Sequence, residues 1–145
     1  MRHAFLRPIV FALALAMTAC GNDTSTTPTT TTGPTSEIFE GQLQGPGGSQ
    51  FFSFTVSSAG NASITLASVT TAATPGTSIN VPLGLGLGQP LGTDCNLTQQ
   101  TTTGPGLAPQ LTTATNLSPA IYCVKVFDVG NLAVPVNFAV RITHT

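Results

Sequence analysis

The sequence predicts an all-β fold, an antiparallel β-sandwich of about eight strands. Three observations predict it. Apolar and polar residues alternate with a period of two through most of the chain. Clusters of Gly, Pro, Asn, Asp and Ser punctuate the alternating runs. No segment beyond the first twenty residues sustains a helical period, which leaves short strands and frequent turns as the architecture.

The runs are taken in chain order. Residues 37–44 open the domain, with Glu37 and Glu40 on opposite faces if the strand is regular. Gly45-Pro46-Gly47-Gly48 separates this run from 50–57, where Phe52, Phe54 and Val56 alternate with Ser53 and Thr55. Phe51 and Phe52 are adjacent and cannot both face one core, so Phe51 either packs between sheets or joins an exposed patch. Ser57 to Asn61 reads as a hairpin into 61–69, where Ile64 and Leu66 alternate with Ser63 and Thr65. In 78–88 every odd residue from Ile79 to Leu87 is aliphatic, while Gly84, Gly86 and Gly88 sit on the other face. A strand with glycines on one face suggests close approach by another backbone. Shorter strands are expected at 94–100 and 110–115. In 120–128, Tyr122, Val124 and Val126 point inward, and the Tyr122 hydroxyl is expected to bond at a sheet corner. Asp128 to Asn131 reads as a hairpin into 133–143, with Pro135 at an edge or strand start.

The first twenty residues read as an address. Arg2, His3 and Arg7 precede the apolar run Ile9–Met17 (IVFALALAM), which falls short of the roughly 20 apolar residues a membrane span needs. A basic head, a short apolar run and small residues form a secretory signal peptide. Met17–Gly21 (MTACG) resembles the bacterial lipobox, with Met17 where Leu is usual. That resemblance implies cleavage before Cys20, lipidation of Cys20 and anchoring in the membrane; Gly21 in place of Asp favours the outer membrane. Each buried CH₂ contributes about 0.8 kcal/mol, so two or three acyl chains hold a protein stably. Thr24 to Ser36 lacks apolar residues and reads as a flexible tether of roughly 20 Å reach. The expected organisation is a signal peptide at 1–19, lipidated Cys20 and tether at 20–36, and one β-sandwich domain at 37–145.

Glu37–Gly41 (EIFEG), Gly48–Val56 (GSQFFSFTV), Leu83–Gly88 (LGLGLG), Leu117–Asp128 (LSPAIYCVKVFD) and Val136–Ile142 (VNFAVRI) follow one another along the domain. In this order they resemble the bacterial pre-peptidase C-terminal domain family. The resemblance spans nearly all of 37–145 and rests on strand patterns and turns. It implies a jelly-roll-like β-sandwich appended to a secreted protein and generally without catalysis. Some relatives bind calcium or extracellular polymers, but the acidic cluster that calcium binding uses is not evident here.

Charged residues are 6% of the chain, against about 25% in an average soluble domain. A nucleic-acid partner is excluded by the lack of a basic stripe. After cleavage, Lys125 and Arg141 face Asp23, Glu37, Glu40, Asp94 and Asp128. With Cys20 lipidated, Cys95 and Cys123 remain outside the reducing cytosol and are expected to form a disulfide, worth roughly 3.6 kcal/mol in the loop-entropy model. If Leu97 and Tyr122 both face the core, that bridge needs a strand end or a bulge. Chemistry has few candidates. His144 is the only mature His and sits at a terminus expected to fray. Asp94, Asp128 and Asn131 occupy turn positions, where hydrogen bonding to the local backbone is the expected role and calcium ligation the lesser one. Leu83–Gly88 lacks the Lys and following helix of a phosphate loop. No catalytic, cofactor or metal residues are therefore expected, and the protein is read as no enzyme. The expected function is a lipid-anchored cell-envelope protein, a non-catalytic binding or interaction module whose partner class is an envelope protein or glycan. The alternative is a structural spacer or assembly subunit of an envelope complex.

Overall fold

The alternating runs pair into two four-stranded antiparallel sheets in the computed structural model, which describes residues 33–113 and 115–145. The strands are β1 (Thr35–Leu43), β2 (Ser49–Val56), β3 (Ser63–Thr71), β4 (Leu83–Leu91), β5 (Asp94–Thr103), β6 (Leu111–Thr112), β7 (Ala120–Phe127) and β8 (Val136–His144). One sheet, A, has the order β1-β8-β3-β6; the other, B, has β2-β7-β4-β5. The pairing is nested: β1 lies beside β8, β2 beside β7, β3 beside β6 and β4 beside β5.

The alternation decides which face each strand buries. Leu66, Val69, Phe138, Val140 and Ile142 of sheet A meet Phe54, Val56, Leu83, Leu85, Leu87, Val124 and Val126 of sheet B in one apolar core. Phe52 stacks on Phe39 at 5.0 Å between ring centroids and meets Phe138 edge-on at 6.1 Å. Its neighbour Phe51 points outward, half-buried opposite Lys125. Adjacent residues on a strand must take opposite faces, so the inward one of the pair is Phe52.

Four expectations need correction. Residues 57–62 and 128–135 do not close hairpins, because each carries the chain from sheet B to sheet A. Among the described residues, the one two-residue hairpin loop is Gly92-Thr93 between β4 and β5, where Gly92 has a φ of 60° that suits glycine. The fourth strand starts at Leu83 rather than residue 78. Residues 77–79 instead pair back onto β3, with Thr71 N–H bonded to Thr77 O and Ile79 N–H to Val69 O, before the chain crosses at Pro82. The sixth strand shrinks to Leu111–Thr112, since Gln110 Oε1 takes the Leu66 N–H and completes the β3 edge with a side chain. Finally, β1 begins at Thr35, so Thr35 and Ser36 pair with His144 and Thr143 instead of belonging to the tether.

The glycine face of β4 points away from the core and is nevertheless buried. The Phe127 ring lies over Gly84 and Leu97 over Gly86, so side chains replace the expected backbone approach. Only at Gly88 does backbone come close, from Asn96 O across the register shift that follows Leu87.

Candidate functional site

The outer face of sheet A is built from the residues left over when the alternation sends apolar side chains inward. Strand register sets them in rows. Glu40, Ala139 and Ser68 form one row across β1, β8 and β3; Gln42, Asn137 and Thr70 form the next. Ala139 is the small residue in the middle, and a bulge between Leu66 and Ser68 bends β3 beside it. The result is an open trough of about 500 Å³ lined by these residues and the backbone around Gly41.

The amides of the trough are held in a chain. Gln44 Nε2 donates to Gln42 Oε1 at 2.6 Å, Gln42 Nε2 to Asn137 Oδ1 at 2.9 Å, and Asn137 Nδ2 to Thr71 O at 3.5 Å. The Gln42 and Asn137 amides each have one N–H and one lone pair left after these bonds. The Glu40 carboxylate and the Ser68 and Thr70 hydroxyls have no hydrogen-bond partner among the described residues. Arg141, one row further along β8, points its guanidinium to Leu107 O at 3.1 Å. A smaller groove of about 350 Å³ lies on the outer face of sheet B, between Ser49, Leu97, Gln100, Lys125, Phe127 and Asp128.

The residues singled out from sequence go elsewhere. The expected signal peptide at 1–19, Cys20 and the tether up to residue 32 lie outside the described residues. Cys95 and Cys123 are bonded, as expected, and both are buried. Leu97 does not face the core; it lies outside over Gly86, which puts Cys95 and Cys123 on the same outer face and removes the apparent conflict of parity. The bridge links β5 to β7, the two neighbours of β4, at the level of Gly88.

Asp94 Oδ1 accepts from Lys125 Nζ at 2.8 Å and from the Cys95 N–H at 2.7 Å. The Lys125 ammonium, helped by that N–H, holds the Asp94 carboxyl below the usual carboxylate range. Asp128 Oδ2 accepts from Gly47 N–H at 2.9 Å, and its Oδ1 from the N–H groups of Gly130, Asn131 and Leu132 at 2.9 to 3.1 Å. The Gly47 N–H foremost, with the three others, likewise lowers the Asp128 carboxyl. Asn131 Nδ2 donates to Pro82 O. The bonds of Asp94 to Cys95 and of Asp128 to Gly130, Asn131 and Leu132 are the local backbone bonds expected of turn residues, whereas Lys125, Gly47 and Pro82 are partners distant in the chain. Among the described residues, no three of His, Cys, Asp and Glu gather as a metal site.

His144 corrects the expectation of a fraying end. It closes β8, is buried, bonds Glu37 through Nε2 at 2.7 Å and packs on Phe54 at 5.1 Å. Glu37 and Glu40 do take opposite faces, one paired with His144 and the other in the trough. The Tyr122 hydroxyl donates to Ser118 O at 3.1 Å, as expected of a sheet corner. Sequence reasoning missed Gln42, Ser68, Thr70, Asn137 and Ala139. They belong to three strands far apart in the chain, and only the register joins them. No family model matches this chain, and no curated protein matches it.

Proposed function

We propose that this is a protein of the bacterial cell envelope, lipid-anchored in the outer membrane, whose β-sandwich is a non-catalytic binding or interaction module. The observation that carries this reading is the trough on sheet A, where polar side chains with unused hydrogen-bonding capacity stand on rigid strands in a fixed order. Sites on strands hold their geometry better than sites on loops. Support on the catalytic side is that Asp94, Asp128 and His144 are each committed to bonds that hold the fold together. The nested strand pairing supports reading the sandwich as jelly-roll-like, as the resemblance to the pre-peptidase C-terminal domain family implies. The MTACG pattern at Met17–Gly21 supports the anchor.

Two measurements test the reading on the full chain. Intact mass of the membrane-extracted protein is expected to begin at Cys20 with added acyl chains, and Cys20→Ser to lose them; a mature mass without acyl groups overturns the anchor. A thermal-melt screen against Ca²⁺, envelope glycans and extracellular polymers is expected to raise the melting temperature for one class. A protein that none of them shifts is instead the spacer or assembly subunit. That second reading is favoured by one observation: β5 is a ten-residue edge strand paired on one side only, a template for strand addition.

A further inference from the structure

We propose that the sheet A trough binds a neutral oligosaccharide, with the chained amides of Gln42 and Asn137, the Glu40 carboxylate and the Ser68 and Thr70 hydroxyls taking the sugar hydroxyls and Ala139 as the floor. This rests on the reading of the domain as a binding module and names the ligand class of its site.

Four features of the trough lead to that class. The first is donor and acceptor balance. A sugar hydroxyl both donates and accepts, and each of the two amides has one free N–H and one free lone pair to meet neighbouring hydroxyls. Ser68 and Thr70 on the opposite wall are themselves hydroxyls able to do either, while Glu40 accepts only.

The second is charge. Glu40 is the one ionised group lining the trough. Among the described residues the nearest cation is Arg141, one row away, and it is turned to Leu107 O. An acidic polymer would set its charge against an unpaired carboxylate with no cation to receive it, and a nucleic acid would do so at every phosphate.

The third is shape. The floor on the middle strand is the Ala139 methyl beside the Asn137 amide, with Glu40 and Gln42 on one flanking strand and Ser68 and Thr70 on the other. The methyl accepts the C–H face of a sugar ring while the ring's edge hydroxyls reach Asn137 and the walls. No deep apolar pocket is present in the lining that would anchor a protein partner's side chain, the feature that concentrates binding energy in protein interfaces. A volume of about 500 Å³ lies within the range of small-ligand sites and leaves room for a short oligosaccharide.

The fourth is order before binding. Free Gln side chains lose rotamer entropy when a ligand fixes them. Here the Gln44-Gln42-Asn137-Thr71 chain already fixes both amides, so that loss has been met on folding and the contacts act more fully on affinity.

The test uses the full chain in detergent, titrated calorimetrically with neutral hexasaccharides of glucose, mannose and N-acetylglucosamine, and with an acidic oligogalacturonide. At least one neutral hexasaccharide is expected to bind, and the acidic one not to. Asn137→Ala is expected to weaken binding by about tenfold, the size of one lost hydrogen bond of ordinary strength. Ala139→Arg is expected to abolish binding by filling the floor, and Gln100→Ala, on the other sheet, to leave it unchanged. Glu40→Gln, an exposed change on an edge strand that leaves the core intact, is expected to weaken binding with an unaltered melting temperature, which keeps the test decisive if Ala139→Arg misfolds. Binding of the acidic sugar in preference, or neutral-sugar binding indifferent to Glu40→Gln and Asn137→Ala, overturns the site assignment. If no neutral hexasaccharide binds while another class in the melt screen raises the melting temperature, this inference falls and the binding-module reading stands. If nothing in either panel binds, both fall.

Discussion

Asp128 ties two loops together with one carboxylate. Its oxygens accept four backbone N–H groups, one from the 45–48 crossing and three from the 128–132 crossing. Gly47, one of those donors, sits at a φ of 73°, a left-handed conformation that a side chain would strain. Asp128→Ala is expected to lower the melting temperature by several degrees and to raise amide exchange in both loops, read by hydrogen–deuterium exchange. The acid limb of stability follows from the same residue and from Asp94. Both carboxyls have lower pKa values folded than unfolded. Their contribution is therefore fully present above the unfolded value, about 3.9, and is lost as pH falls through the lower folded values. In melts across that range, the parent is expected to lose melting temperature below about pH 4, and an Asp94→Asn/Asp128→Asn protein to show a smaller fall.

At the scale of the element, β4 is the strand whose two faces differ most. Its leucines fill the core, and its glycines make room for Phe127 and Leu97 on the outer face. Covering a glycine with an aromatic ring restores the packing that the missing side chain forfeits. Gly84→Ala would drive a methyl into the Phe127 ring. It is expected to cost about 1–3 kcal/mol as overpacking, measured by urea unfolding. The disulfide acts on the same sheet by linking the two neighbours of β4 across a sequence separation of 28. Replacing both cysteines with serine is expected to lower unfolding free energy by roughly 3.6 kcal/mol, and reductant to do the same to the parent but nothing to the variant. The faces of these strands were legible in the sequence because period two assigns them directly. The trough was not, because Glu40, Ala139 and Ser68 share a row only after β1 and β3 have both docked on β8.

At the scale of the molecule, the first strand pairs with the last. Thr35 is opposite His144, and Leu43 opposite Val136. The strand β8 lies between β1 and β3, so it is an interior strand of sheet A although it is the last in sequence order. Ending the protein at Pro135 is expected to abolish the cooperative melt, because β1 would then have no neighbour in its sheet. A circular permutant is expected to keep it. A short linker suffices to join Thr145 to Thr35, since paired strands lie about 4.8 Å apart, and the new ends fall at the exposed Gly92-Thr93 loop. Loss of the melt in the permutant, or its survival in the truncation, would show that this pairing does not organise the sheet.

Strand content and the inward side of most strands follow from the chain alone, because a side-chain period of two is a local fact; the cysteine pair was reached through the expectation of export, which leaves Cys95 and Cys123 to pair. Turn residues were equally legible as turns. Whether a turn returns the chain to the same sheet is not a local property. Ser57 to Asn61 and Asp128 to Asn131 carry hairpin-like residues, yet both cross between sheets. Each strand must bury its apolar face against the opposite layer, and that requirement is met only when all eight are placed together. The same packing pulled His144 out of an expected loose end and into the core, where Phe54 and Glu37 hold it. It also turned Leu97 outward over a glycine. The strand order, and with it the convergence of polar groups in the sheet A trough, is set by long-range pairing between segments that share no local signal.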